Sequence, residues 1–326
     1  MLMLKSKLKS IIQKFHKARI LVIGDLILDE YIWGSVERIS PEAPVPVVLV
    51  KSESFMPGGA SNVASNIASL GGASLIAGVI GDDKNGKTLI EELRKRRVDT
   101  AGIFVDAERP TTLKTRIIAH HQQVVRVDRE RNSSIEDNLL EQVVSFVRQN
   151  LEELDAVIIE DYGKGVIIPR LLAEIVPLVR KHKKIVTVDP KVSHFSYYQG
   201  VTSITPNERE ASGGTGIKIE DDGDIDRVGK KLLKDLNLES ALITLGENGM
   251  CLFEKEGAVT HIPTVAQEVF DVSGAGDTVI ATFTLALACG ATKLEAAHLA
   301  NFAAGIVVSK VGTAVETKEE LLERVV

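Results

Sequence analysis

The stretch GDDKNGKT, residues 81–88, follows the apolar run ASLIAGVI and precedes LIEELRKR, which has helical composition. It matches G-x-x-x-x-G-K-[ST] letter for letter, the pattern of a loop whose backbone N–H groups cradle phosphates between a strand and a helix. Two folds are at stake. Either the chain is built around this loop, or the loop is a turn in which an aspartate caps the next helix. Asp82 and Asp83 fill two of the four variable positions, and each carboxylate would repel a bound triphosphate by about 1 kcal/mol even in water. No apolar strand closes convincingly on a magnesium-binding aspartate: DAVIIED (155–161) comes nearest but continues as YGKG. The chemistry favours the turn, with Lys87 a solvated helix residue.

Outward from this point the chain alternates. RILVIGDLIL (19–28), ASLIAGVIG (73–81), DAVIIEDYG (155–163), KIVTVDPK (184–191) and ALITLGENG (241–249) are short Ile/Val/Leu runs ending in Gly, Asp or Pro. Such runs fit buried strands of a parallel sheet. Helical stretches separate them: SNVASNIASLGG, KTLIEELRKRR, SIEDNLLEQVVSFVRQNLEEL and PRLLAEIVPLVRKHKK. The pattern predicts an α/β doubly wound, mostly parallel sheet flanked by helices, with ligands beyond the carboxyl ends of the strands. Two segments have strand composition without intervening helices, APVPVVLVKSESF (43–55) and TTLKTRIIAHHQQVVRVD (111–128). They predict a small β lid, drawn from about 36–56 and 110–128. The last third predicts three short strands and then two helices, GAGDTVIATFTLALACG and KLEAAHLANFAAGIVVSKVG. With no long linker or internal repeat, residues 1–326 read as a single domain with its lid.

Composition narrows the class. Hydrophobic residues make up 44% and charged residues 26%, ordinary for a globular chain. A net charge of −6 argues against a general nucleic-acid binder. The two cysteines, Cys251 and Cys289, lie in no metal-like cluster and suit a reducing compartment. Lysines at 5, 7, 9 and 14 break any signal-peptide core, and no run reaches the roughly 20 apolar residues of a membrane span. The expectation is a cytoplasmic protein with no membrane and no nucleic-acid partner. His120 and His121 have no third ligand at useful spacing, so no metal is expected there.

The stronger phosphate signal is DVSGAGDT, Asp271–Thr278. Gly274, Ala275 and Gly276 carry almost no side-chain bulk, and TVIATFTLALA after them has helical length. Consecutive N–H groups at a helix start, reinforced by its dipole, make an anion hole. Asp277 stands just inside that start. There it is either an ordinary N-terminal helix acid or a base that takes the proton of a hydroxyl attacking a held phosphoryl group.

Four further segments occur in a fixed order around this one: PGGASNVASNIASLGG (57–72), GVIGDDKNG (78–86), TPNERE (205–210) and ITLGENG (243–249). Together with DVSGAGDTVIATF (271–283) they resemble, over nearly the whole chain, sugar kinases of the ribokinase (PfkB) family. The resemblance implies an ATP-dependent phosphotransferase with a ribokinase-like fold, and it places GDDKNG near the sugar side. It implies Asp277 as catalytic base and the Gly274, Ala275 and Gly276 amides as the phosphoryl cradle. Asn207 and Glu210 match the N-x-x-E motif that helps hold Mg²⁺, through water because Mg²⁺ keeps several waters; a helix N-cap would look the same. Thr244, Gly246, Gly249 and Asn301 would line the nucleotide groove, although the glycines also suit plain turns and Asn301 a surface position. Asp271 corresponds to the acid ahead of the anion hole. Asp29 and Asn62 match positions that hold sugar hydroxyls, and Gly58 and Gly59 let the sugar lie against the backbone.

RISPEAPVPV (38–47), HHQQVVRVDRE (120–130), EDYGKG (160–165) and DPKVSHFSYY (189–198) further resemble bacterial kinases of D-glycero-β-D-manno-heptose 7-phosphate, which phosphorylate the anomeric hydroxyl in lipopolysaccharide assembly. The bifunctional forms continue into an adenylyltransferase domain, so the expectation here is a stand-alone kinase. A phosphorylated sugar must meet cations, and Arg38, Lys114, Arg116, Arg126, Lys164 and Lys191 are the candidates. Lys164 and Lys191 follow Asp161 and Asp189 and equally suit ion pairs. Asp161 is a further candidate contact to a sugar hydroxyl. A closing lid would exclude water from the reaction, and its apolar PVPVVLV run predicts a homodimer paired through the lid. The alternatives are another sugar or nucleoside kinase of the same family and a non-catalytic sugar or nucleotide sensor.

Overall fold

A computed structural model describes residues 2–120, 122–266, 268–310, 312 and 314–325, without the side chains of residues 2, 3 and 222. His121 therefore lies outside the described residues. In chain order the elements are α1 (Leu2–Gln13), β1 (Arg19–Gly24), β2 (Leu26–Ile39), β3 (Pro46–Gly59), α2 (Ala60–Ser69), β4 (Ala73–Gly81), α3 (Lys84–Lys95), β5 (Asp99–Asp106), β6 (Thr112–Ala119), β7 (Gln122–Arg129) and α4 (Asp137–Asn150). There follow β8 (Ala156–Glu160), α5 (Pro169–Lys181), β9 (Ile185–Asp189), β10 (Ser203–Ile204), α6 (Glu208–Thr215), α7 (Asp222–Leu236), β11 (Ser240–Thr244), β12 (Met250–Glu254), β13 (Val259–Ile262), α8 (Ala275–Ala288), α9 (Lys293–Val307) and α10 (Lys318–Arg324).

Nine strands form one sheet in the order β13-β12-β11-β10-β9-β8-β1-β4-β5. Only the β11–β12 and β12–β13 pairs are antiparallel. The pleat sends alternate residues to opposite faces, and both faces are buried. Ile20 and Val22 of β1 join a core with α1, α2, α3, α8 and α9. Leu21 and Ile23 join a second core with α4, α5 and α7. This two-sided burial is why the strands read as continuous apolar runs.

A second sheet, β3-β2-β6-β7, stands apart from the first. It corrects one expectation. The run RILVIGDLIL is not one strand: the chain turns at Asp25, and residues 26–39 leave the main sheet to pair with β3 and β6. Asp25 explains the break. Its buried carboxylate accepts backbone N–H groups from Tyr162, Lys164 and Val166, which fixes the chain at the carboxyl end of β1. Much of the small sheet is uncovered and apolar, with Ile39, Leu49 and Val127 more than half exposed.

The segment 81–88 is a capped turn. Asp83 accepts the Gly86 N–H on Oδ1 (2.8 Å) and the Thr111 N–H on Oδ2 (2.9 Å), and Lys87 lies exposed on α3.

Candidate active site

The carboxyl ends of β8, β9 and β11 and the start of α8 converge on a group of acids. The α8 start is unusual. Its N-cap is Gly274, at φ 79°, a conformation that favours glycine and provides no capping side chain. The Ala275 N–H turns back to the Val272 carbonyl (3.2 Å). It is therefore not one of the open donors, a correction to the expected trio. Among the described residues the amides of Gly276 and Asp277 have no protein acceptor. These are two of the orphan donors that a helix start always leaves.

Asp277 is 4% exposed. The Asn62 Nδ2 donates to its Oδ2 (2.6 Å) and the Tyr162 hydroxyl to its Oδ1 (3.1 Å). Burial pushes its carboxyl up to about 6, against the pull of those two hydrogen bonds. Asn62 is brought to α8 by the crossing of α2, which Thr278 Oγ1 to Asn66 Oδ1 (3.0 Å) pins.

Two acids not singled out from sequence stand beside it. Carboxylate oxygens of Glu160, Asp189 and Asp277 lie within 4.8 Å of one another. Burial, then the neighbouring charges of Asp189 and Asp277, raise the Glu160 carboxyl well above its ordinary value. Burial and the charge of Glu210 do the same for Asp189. The Glu160 Oε2 is buried and has no hydrogen-bond partner. A buried orphan oxygen amid converging carboxylates suits a hard divalent cation that takes oxygen ligands. The signal in the sequence was the acidic ends of otherwise apolar strands, AVIIE and IVTVD.

Asn207 and Glu210 form a capping box at the start of α6: Glu210 N–H donates to Asn207 Oδ1 and Asn207 N–H to Glu210 Oε2, both 2.9 Å. A backbone bridge ties Asn207 to Thr244. Beside them opens a cleft of about 440 Å³ whose walls include Thr244, Gly246, Gly249, Ala275, Gly276 and Asn301. Asn301 is 5% exposed rather than at the surface, and its Nδ2 donates to the Pro263 carbonyl (2.7 Å). Val269 and Val272, missed in the sequence, complete the apolar mouth. Asp271 lies outside this lining; it accepts the N–H groups of Ser273 (2.9 Å) and Gly312 (3.0 Å) and so shapes the loop before α8.

On the lid side, Asp29 is buried and its Oδ1 takes the Arg116 Nη1 at 2.5 Å. A Cβ on Gly58 would come within 2.5 Å of the Asp29 Oδ2, so a side chain there would have to displace the Asp29 carboxylate. Gly59, at φ 54°, turns the chain into α2. Of the six candidate cations, Lys114, Arg116, Arg126 and Lys164 are paired with Asp128 or Glu130, Asp29, Asp128 and Glu130 respectively. Arg38 and Lys191 are exposed, with no carboxylate within salt-bridge distance among the described residues. Asp161 already has partners: Gly163 N–H donates to one oxygen and the Tyr198 hydroxyl to the other, where His194 Nδ1 also lies, each at 2.8 Å.

A family model described as pfkB family carbohydrate kinase matches residues 17–320. The chain belongs to that family. Among curated relatives, the bifunctional protein HldE of Geobacter metallireducens is 48% identical over 302 residues, 93% of this chain and 62% of that protein. The HldE protein of Pelobacter propionicus is 45% identical over 321 residues, 98% of this chain and 66% of the relative. The chain thus spans just under two thirds of the length of these relatives. Solved structures share the fold: ribokinase of Arabidopsis thaliana complexed with ribose and ATP (TM-score 0.76, 21% identity, 94% of this chain and 98% of that one), and phosphofructokinase-2 of Escherichia coli with substrates and products (TM-score 0.78, 17% identity, 94% and 98%). As a pfkB carbohydrate kinase, the protein has a ribokinase-like α/β fold. No helix among the described residues is long and apolar enough to cross a membrane.

Proposed function

We propose that the protein uses ATP to phosphorylate D-glycero-β-D-manno-heptose 7-phosphate at its anomeric hydroxyl, giving the 1,7-bisphosphate for ADP-heptose and lipopolysaccharide core precursors. The observation that carries the kinase chemistry is the buried Asp277 carboxylate beside two open amides at the edge of the 440 Å³ cleft. In this reading the cleft takes the nucleoside, with the adenine against Val269 and Val272. The Gly276 and Asp277 amides meet the terminal phosphate, and Asp277 accepts the proton of the sugar hydroxyl. Phosphoryl transfer needs placement and charge stabilisation more than covalent help, and a helix start supplies both.

Mg²⁺ would neutralise phosphate charge when bound. Glu160 and Asp189 would hold it, with Asn207 and Glu210 acting through water. Asp29 and Asn62 orient the sugar, Gly58 and Gly59 give it room, and the cations around Asp29 face its phosphate. Asp161 holds the turn after β8 and keeps acceptor capacity on Oδ1 for a sugar hydroxyl. The heptose assignment draws its support from the HldE relatives at 43–48% identity. The uncovered apolar strands of the small sheet support a homodimer paired through the lid, and in this reading the enzyme acts in the cytoplasm.

An acceptor screen with ATP and Mg²⁺ tests the substrate. Heptose 7-phosphate turns over and unphosphorylated ribose and fructose do not. Turnover of an unphosphorylated sugar with none on heptose 7-phosphate contradicts the assignment.

A further inference from the structure

The turn after β8 is held more firmly than a connection between a strand and a helix requires. From one side Asp25 accepts the N–H groups of Tyr162 (3.0 Å), Lys164 (2.9 Å) and Val166 (3.1 Å). From the other, Asp161 accepts the Gly163 N–H, while the Tyr198 hydroxyl and His194 hold its second oxygen. Arg109, itself 8% exposed, donates to the Ser133 carbonyl (2.6 Å) and reaches the Lys164 carbonyl (3.5 Å). Two buried carboxylates therefore serve a turn of a few residues, although burying a carboxylate is costly; burial pushes the Asp25 carboxyl up to about 6. What the turn delivers is one phenol, whose hydroxyl meets Asp277 Oδ1 at 3.1 Å.

The torsion that rotates a carboxylate about its last bond is soft and roughly two-fold. A general base needs one lone pair held on the incoming proton. A single donor leaves that rotation loose, and donors on opposite oxygens fix it. Asn62 supplies one from α2 and Tyr162 the other from the β8 turn. We propose that Tyr162 is a positioning residue whose hydroxyl, opposite Asn62, sets the plane of the Asp277 carboxylate for proton removal from the sugar. The inference rests on the reading of Asp277 as the base. A phenol ordinarily ionises at about pH 10, so at neutral pH the Tyr162 hydroxyl keeps its proton and donates to the carboxylate. Tyr162 is not a proton acceptor here, and it acts through Asp277.

The test compares Tyr162→Phe, Asp277→Asn and the double variant, with ATP, Mg²⁺ and heptose 7-phosphate. If that acceptor is inert, ribose and fructose 6-phosphate take its place. Phenylalanine removes one oxygen and keeps the backbone N–H on Asp25, so folding and Tm are expected to hold. Tyr162→Phe lowers kcat by about 10- to 100-fold, the worth of one hydrogen bond to a charged group. Both KM values stay within about twofold, because positioning acts on the transition state. In the Asp277→Asn background the same change alters residual turnover little, as expected for residues that work as a unit. Three results overturn the inference: wild-type kcat in Tyr162→Phe, a raised sugar KM with kcat kept, or the full loss repeated in the Asp277→Asn background. The parent reading fails separately. If Asp277→Asn keeps near-normal turnover, both fall; if Asp277→Asn is dead and Tyr162→Phe is fully active, only this inference falls.

Discussion

GDDKNGKT at α3 and SGAGDT at α8 are both glycine-bearing turns that enter helices, and they treat the helix start in opposite ways. At α3 the aspartate lies before the helix, and its side chain folds over the Gly86 amide and also takes the Thr111 amide. The Gly86 donor is taken by the Asp83 side chain and the Lys87 donor by the Asp83 carbonyl, which is stable and chemically silent. At α8 the capping position is a glycine, the Gly276 and Asp277 amides are left open, and the aspartate lies inside the first turn, buried. The difference teaches that glycine spacing does not make an anion site. What decides is whether a side chain of the protein already occupies the amides. An uncapped helix start beside a buried acid is poor for stability, and such arrangements are retained where function needs them.

The contrast can be broken most sharply at Asp277. Asp277→Asn lowers kcat by about 10²–10⁴-fold, the usual worth of a general base, while ATP affinity by calorimetry is unchanged. Near-normal turnover would return Asp277 to the status of an ordinary helix acid.

A second acid packed on α8 sharpens the same point through stability. Glu316 is fully buried, its Oε1 takes the Thr282 hydroxyl (3.1 Å), and burial pushes its carboxyl up to about 7. Its folded value is raised above the unfolded one, so its contribution is complete below about pH 4.5 and is lost as pH rises through about 7. Glu316→Gln removes that loss. The variant matches the wild type near pH 4.5 and is more stable at pH 8, by up to roughly 3 kcal/mol, read as Tm across the range. A wild-type-like pH dependence in the variant would contradict this.

At α3 the effects are smaller and confined to stability. Asp83→Ala removes a cap and costs about 1 kcal/mol in urea unfolding, with kcat unchanged. Lys87→Ala, at an exposed helix position, changes stability by no more than about 0.5 kcal/mol and leaves turnover intact. Loss of activity in Lys87→Ala would revive the phosphate-loop reading of residues 81–88.

Much of the fold was legible because the parallel strands are buried on both faces and write themselves as apolar runs. The departure of residues 26–39 was not, because one apolar stretch crosses a sheet boundary at Asp25, and only three amides from the distant 162–166 turn mark the break. Local motifs likewise exposed the α8 turn, the α6 cap and the glycines of the cleft. Glu160, Asp189 and Tyr162 were hidden for a different reason. Glu160 and Asp189 end their strands and Tyr162 lies just past β8, all unremarkable in sequence, and their meaning appears only when β8, β9 and α8 bring acids from positions 160, 189 and 277 within 4.8 Å. The ion pairs of the lid were equally invisible, since Asp29 meets Arg116 across two strands 87 positions apart.

The central claim is that α8, not α3, receives the terminal phosphate. A crystal structure with a non-hydrolysable ATP analogue and Mg²⁺ decides it. The account predicts the γ-phosphate within hydrogen-bonding reach of the Gly276 and Asp277 amides, with the base in the cleft lined by Thr244 and Asn301. A triphosphate seated on residues 84–88 beside Lys87 would contradict it.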